Sequence, residues 1–276
     1  MDKGKLFIVA TPIGNLEDMT LRAIHTLKSV GLIAAEDTRR SAHLMKHYEI
    51  VTPMTSYHDF TRAEKRKKIL QKLAAGTDVA LISDAGTPCI SDPGYRLIEE
   101  ALSLGIDICA VPGPSVLTAA LSVSGLPTDA FFFKGYLPNR GQARMACLEE
   151  LKTRKETLVL YETPHRFLSA LKDMLEVWGN RRIAVIREMT KLYEETFRGS
   201  IQEALAHFQQ KNKIKGEITL VIEGKPKETD PAMAINIPEE IEKVMQNQKV
   251  SKKDAVQIVS ETYGIPKNKV YKASLK

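Results

Sequence analysis

Asp84, Gly86 and Thr87 follow a short apolar run, residues 79–82, in the stretch VALISDAGTPCISDPG. A run of that length breaking into Gly, Pro and short polar residues reads as a strand entering a loop. In open α/β sheets small ligands sit beyond the carboxyl ends of strands, where glycine admits close backbone approach. A carboxylate there can take an ammonium or a hydroxyl, and a threonine hydroxyl can bond in either sense. The arrangement recurs along the chain. Residues 107–111 break into PGPS, placing Ser115 at a helix start with Thr118 and Ala119 just inside it; free N–H groups at such a start favour an anionic or acceptor group. Residues 157–162 end in Tyr161 and Glu162 with Pro164 opening a helix, and residues 217–223 begin with Glu217 and Thr219. A charged cluster, Glu36, Asp37, Thr38, Arg39 and Arg40, closes the run at 32–35, and Asn15 ends the loop TPIGN after the run at 6–10.

These loops need a frame. Up to about residue 125 apolar runs alternate with amphipathic stretches near 21–30, 42–47, 62–75, 95–104 and 115–124, which predicts a largely parallel sheet covered on both faces. Residues 48–58 read as irregular. No G-x-G-x-x-G follows the first run, so a dinucleotide-binding domain is excluded. From residue 126 to 224 the texture changes: runs at 131–136, 157–162, 182–188, 195–199 and 217–223 with few helices predict a mixed sheet and a second α/β domain. Ser200 and Glu203 have the spacing of a capping box. Prolines and lysines at 225–237 mark a linker, and residues 238–276 read as a basic module resembling a helix-turn-helix, with Ser251 as a cap and Pro266 as a helix start.

At 276 residues, 43% hydrophobic and 27% charged, the chain is that of an ordinary globular protein. Its net charge of +6 suits a polyanionic partner, and seven lysines face two acids between Lys249 and Lys276. Lys252, Lys253, Lys267 and Lys269 in the tail, with Lys65 and Lys68 on the basic stretch at 62–75, are the natural phosphate contacts. Tyr57, His58 and Phe60 just before that stretch could stack on single-stranded bases. Cys89, Cys109 and Cys147 are odd in number and far apart, so neither disulfides nor zinc is expected, and a reducing cytoplasm fits. His43 and His47 stand one helical turn apart with no third ligand in sight, so no metal is expected. No run approaches the ~18 apolar residues of a membrane span.

TPIGN, LISDAGTPCISDPG and VPGPSVLTAALSVSGLP together resemble the tetrapyrrole methylase superfamily of S-adenosylmethionine-dependent methyltransferases, over residues 5–224. Where the corrin and sirohaem enzymes carry a Gly-rich GxGPGD turn, this chain has TPIGNLEDMT. With AAEDTRRS at 34–41 and the helical tail, that departure resembles the branch that methylates the ribose 2′-hydroxyl of cytidine 1402 in 16S rRNA. The resemblance implies two α/β domains with an S-adenosylmethionine cleft between them, a homodimer, and 16S rRNA or the small ribosomal subunit as partner. It assigns Asp84, Gly86, Thr87, Ser115 and Thr118 to the cofactor, with Tyr161, Glu162, Pro164, Glu217 and Thr219 enclosing adenine. Arg39 and Arg40 then contact the RNA, and Asn15, Asp37 and Arg39 are the candidates near the reacting hydroxyl, whose proton leaves to a weak base or water. A porphyrinoid methyltransferase of the same fold, or an RNA-binding protein without activity, are the competing expectations.

Overall fold

The structure, a computed structural model, describes residues 2–58, 63–226 and 236–275. Phe60, Arg62 and most of the expected linker therefore lie outside the described residues. The chain divides into two units, Met1–Gly224 and Lys225–Lys276.

In the larger unit, β1 (Leu6–Val9), β2 (Leu32–Ala35), β3 (Met54–Ser56), β4 (Val79–Ile82) and β5 (Ile108–Val111) form an all-parallel sheet in the order β3-β2-β4-β1-β5. β2 and β4 are buried at every position, as a sheet covered on both faces requires. Leu6, Ala34, Val79 and Leu81 pack with Leu70, Leu73 and Leu97 on one face; Val9, Ile33, Ala80 and Ile82 pack with Ala23, Leu27 and Met45 on the other. The covering helices are α1 (Leu21–Ser29), α2 (Thr38–His47), α3 (Ala63–Ala74) and α4 (Tyr95–Ser103), and α5 (Val116–Ser124) follows β5.

Three local differences from the sequence reading matter. α2 begins at Thr38 rather than near Ala42, because the Asp37 side chain accepts the Arg39 N–H and caps it. The stretch read as irregular contains β3, a three-residue edge strand. Tyr57 is buried in the core with Leu70 and Leu73, so its ring is not available to stack on bases.

β6 (Phe131–Tyr136), β7 (Thr157–Glu162), β8 (Arg182–Arg187), β9 (Glu195–Ser200) and β10 (Ile218–Ile222) form the second sheet, ordered β6-β7-β10-β8-β9. β6 and β7 run parallel and the other pairs antiparallel. Leu158, Leu160, Val185 and Leu220 face α6 (Gly141–Leu151), α7 (Pro164–Trp178) and α8 (Ile201–Gln209). Val159, Ala184, Ile186 and Val221 face α5 through Ala120 and Leu121. The helix that follows β5 thus packs on the second sheet, carrying the chain from one sheet to the other.

On the outer strand β9, Glu195 accepts hydrogen bonds from Arg187, Lys211 and His207. Burial works against its charge, but these three donors prevail and hold the carboxyl at about 2. A depressed carboxyl stabilises the fold above its unfolded value near 4.5 and loses that contribution as pH falls toward 2. Glu195→Gln is expected to cost about 2 kcal/mol at pH 7, allowing for partial exposure. Urea midpoints of the two proteins should converge between pH 4.5 and 2; a constant gap across that window would exclude the linkage.

The smaller unit is three helices, α9 (Ile237–Gln248), α10 (Lys252–Tyr263) and α11 (Lys267–Ala273), around Ile237, Ile241, Val256, Val259, Ile265 and Val270. Ser251 caps α10 by accepting from Asp254 N–H, and Gly264 ends it in the left-handed region. Among the described residues no helix is long and apolar enough to cross a membrane.

Candidate functional site

The carboxyl ends of the first sheet's strands deliver a set of loops to one place. The loop after β1 and the loop after β4 are tied by reciprocal backbone hydrogen bonds between Thr11 and Gly86, both 2.9 Å, and by the Thr11 hydroxyl donating to Ser83 O. Gly86 needs φ of +78°, which only glycine adopts without strain. Cys89 and Ser91 further along are also left-handed, so residues 83–94 form a tightly folded wall rather than a slack connection. Burial beside Asp92 pushes the Cys89 thiol up to about 11, which leaves it inert at neutral pH.

That wall lines a cavity of about 240 Å³. The first sheet and its loops contribute Ile13, Glu36, Arg40, Asp84, Gly86, Thr87, Ser91, Asp92, Ser115 and Val116; the second sheet and its loops contribute Tyr136, Tyr161, Ile186, Met189, Glu217 and Thr219. Asp84 is its hub. One carboxylate oxygen accepts the Asp37 N–H at 3.0 Å and the other accepts from Arg40 at 2.9 Å, while the Asp84 N–H donates to Glu36 at 3.2 Å. Four carboxylates, Glu36, Asp84, Asp92 and Glu217, and one guanidinium, Arg40, are among the lining side chains, and Lys191 pairs with Glu217 from outside the lining. Such a lining carries a negative field that favours a cationic ligand.

The far wall is aromatic. Tyr161 on β7 stands edge-on to Tyr136 and Phe133, with ring centroids 5.6 and 4.9 Å away. Burial, with Asp92, Tyr136 and Glu217 adding negative charge, pushes its phenol up to about 12. The hydroxyl is therefore a neutral donor near pH 7. Thr219 pairs with Tyr161 across β10 and β7 and shares its face. Glu217 sits at the rim and accepts from Lys191 at 3.1 Å.

Seven of the ten expected cofactor residues meet here: Asp84, Gly86, Thr87, Ser115, Tyr161, Glu217 and Thr219. Three do not. Thr118 turns its hydroxyl back to Ser115 O on its own helix. Pro164 is the first residue of α7 and starts it. Glu162 follows Tyr161 on the strand and so points to the opposite face, where its buried carboxylate accepts from Arg166 at 2.9 Å and from Thr163 N–H at 2.7 Å. Arg166 extends this network to Leu137 O and Asn139, holding the loop at 137–140.

None of the proposed acceptor-side residues Asn15, Asp37 and Arg39 lines the cavity. Asn15 is exposed and accepts Glu17 N–H to cap a 3-10 turn, Leu16–Asp18. Hydrogen bonds from the Arg39 side chain and backbone hold the Asp37 carboxyl at about 2, so it is a weak base. Arg39 is almost fully exposed beside it. Lys65 is half-buried and donates to Ser56, whereas Lys68 is exposed. In the tail, Lys252 donates to Ser274 O and Lys267 to Gln257, while Lys253 is exposed.

The two walls also meet at Gly135. Its φ is +72°, at an irregularity in the pairing of β6 with β7, and an added methyl would lie 2.8 Å from the Ser91 hydroxyl. Gly135→Ala is expected to cost about 1–2 kcal/mol from backbone strain and the displaced Ser91. Calorimetry tests this; an unchanged unfolding temperature would show that the contact carries no constraint.

Comparison with known proteins places this geometry among related chains. The family described as Tetrapyrrole (Corrin/Porphyrin) Methylases matches residues 5–205. A protein of Halalkalibacterium halodurans named Ribosomal RNA small subunit methyltransferase I is 43% identical, covering 98% of this chain and 94% of its own length. One of the same name from Thermotoga maritima is 50% identical over 222 residues, covering 80% of this chain and 99% of itself. Among solved structures, uroporphyrin-III-C-methyltransferase from Thermus thermophilus has a TM-score of 0.56 at 20% identity, covering 81% of this chain and 95% of its own. Diphthine synthase has a TM-score of 0.63 at 12% identity, covering 80% of this chain and 90% of its own. At those identities the two structures speak for the fold alone.

Proposed function

This chain belongs to the tetrapyrrole methylase family, and from that premise we propose that it transfers the methyl group of S-adenosylmethionine to RNA of the small ribosomal subunit. The observation that carries the reading is the acid-rich cavity at the strand ends, joined to the near-full-length likeness to proteins named as small-subunit rRNA methyltransferases. The residues fit the cofactor. A sulfonium and an ammonium against one carboxylate make it a net cation, and Glu36, Asp84 and Asp92 offer the opposite charge. Bound there, it supplies a methyl group already activated by its positive sulfur.

The chain's own part is positioning. Asp84, braced by Arg40 and the Asp37 amide, fixes the ammonium or a hydroxyl. Gly86 lets the backbone come close, the Ser115 end of α5 faces the cavity, and Tyr161 and Thr219 form the side toward adenine. We assign the acceptor as the ribose 2′-hydroxyl of cytidine 1402 in 16S rRNA, on the resemblance carried by TPIGNLEDMT and AAEDTRRS. An Asp37 carboxyl held at about 2 is a poor acceptor for a ribose proton, so solvent takes that proton in this reading.

Incubation with methyl-labelled S-adenosylmethionine and either small subunits or naked rRNA, followed by mapping of the modified nucleotide, tests the proposal. Label on one ribose is the expected result. Label on a base, or none on RNA, would overturn it. The homodimer that the resemblance implies is read directly by sedimentation equilibrium.

A further inference from the structure

The acid-rich cavity raises a difficulty for any RNA acceptor. Glu36, Asp84, Asp92 and Glu217 around the donor repel phosphate as effectively as they attract a sulfonium. The nucleotide that enters brings a phosphodiester on each side, and those charges need a seat nearby but outside this field.

A second cavity of about 210 Å³ provides one. It is lined by Tyr57, His58, Arg66, Asp92, Gly94, Tyr95 and Arg96, so Asp92 belongs to both cavities and is the partition between them. Two guanidinium groups face it against the one carboxylate of Asp92, the reverse of the first cavity's balance. Arg66 is held by Glu100 at 2.7 Å, its side chain only 17% exposed. Arg96 is exposed, and no acid lies within ion-pair distance of it among the described residues. It stands in the first turn of α4, whose cap is Gly94 with no side-chain hydrogen bond, so the N–H groups of that turn add to the positive character of the cavity. Tyr95 beside it is 67% exposed and offers a ring face to a neighbouring base.

We propose that this second cavity seats a phosphodiester of the single-stranded RNA next to the methylated nucleotide, with Arg96 as its main contact and Arg66 as the fixed cation behind it. The proposal rests on the rRNA reading above and adds to it the place where the acceptor's backbone is held. A guanidinium meets phosphate with two parallel N–H bonds, which gives direction as well as charge. Asp92 then keeps the two charge environments apart: the sulfonium lies on one side and the phosphate on the other.

The test measures binding of a fluorescent single-stranded RNA oligonucleotide to the full chain and to Arg96→Ala, Arg96→Glu and Arg96→Lys over a range of salt. Arg96→Ala should weaken RNA binding about tenfold and lower the salt slope by about one, with Arg96→Glu weaker still. Arg96→Lys should keep part of the affinity, as a point charge without the fork. Affinity for S-adenosylhomocysteine and the unfolding temperature should not move, since Arg96 is exposed and touches neither core nor donor cavity. Methylation of small subunits by the unaltered protein reports separately on the underlying reading. If methylation occurs and all three variants bind RNA with the original affinity and slope, the phosphate seat is wrong while the reading stands. If the unaltered protein neither binds nor methylates RNA, both fall.

Discussion

Asp84→Ala is expected to lower affinity for S-adenosylmethionine, and methyl transfer with it, by about two orders of magnitude. The Asp84 carboxylate accepts two hydrogen bonds, one from the charged Arg40 and one from the amide that begins α2. Hydrogen bonds involving a charged group are worth about 1.5–3 kcal/mol each when one partner is removed. Alanine therefore deletes the counter-charge for the donor and also frees Arg40 to swing a positive charge toward the site. Asp84→Asn separates these effects. It preserves shape and one acceptor but not the charge, and should recover the position of α2 without recovering donor affinity. Titration calorimetry with S-adenosylhomocysteine reads the result; an affinity unchanged in the alanine variant would remove Asp84 from the donor site altogether.

Truncation after Gly224 should leave donor binding intact and reduce rRNA affinity about a hundredfold at low salt. The larger unit has its own cores and contains every residue of the donor cavity. The removed unit carries the lysine-rich stretch from Lys249 onward. Each phosphate contact contributes close to one unit of salt slope, so loss of three or four should flatten the slope by about that number. The effect is therefore expected in the KM for RNA rather than in kcat. Filter binding across salt concentrations decides it: equal slopes for full and truncated chains would show that the tail touches no phosphate.

Most strands and helices were legible because each apolar run or amphipathic stretch is locally complete, down to the Ser200–Glu203 capping box and the proline that opens α7. What escaped was set by neighbours. β3 is three residues long and exists because β2 offers it an edge. Tyr57 looks like a loop aromatic until α3 covers it. In β7 every residue from Thr157 to Leu160 is buried, so no alternation told which of Tyr161 and Glu162 faced the cavity. The loops that line the cavity at the first sheet's strand ends were readable from their glycines, prolines and aspartates. Glu36, Asp92, Tyr136, Ile186 and Met189 were not assigned to the site, because they come from four separate segments that only the folded sheets bring together.

Gly135 against Ser91 has a counterpart at Gly14, where an added methyl would lie 2.4 Å from the Lys191 side chain and 2.9 Å from the Thr190 hydroxyl. The two walls of the cleft thus bear on one another at two points, and at each the bearing surface is a missing side chain. The aperture of the cleft is written in those absent atoms. Enlarging either glycine would act as a shim, prising the donor wall from the aromatic wall while both sheets stay folded. A selection for altered donor size would therefore find its first purchase at these two positions, before any residue that touches the donor itself.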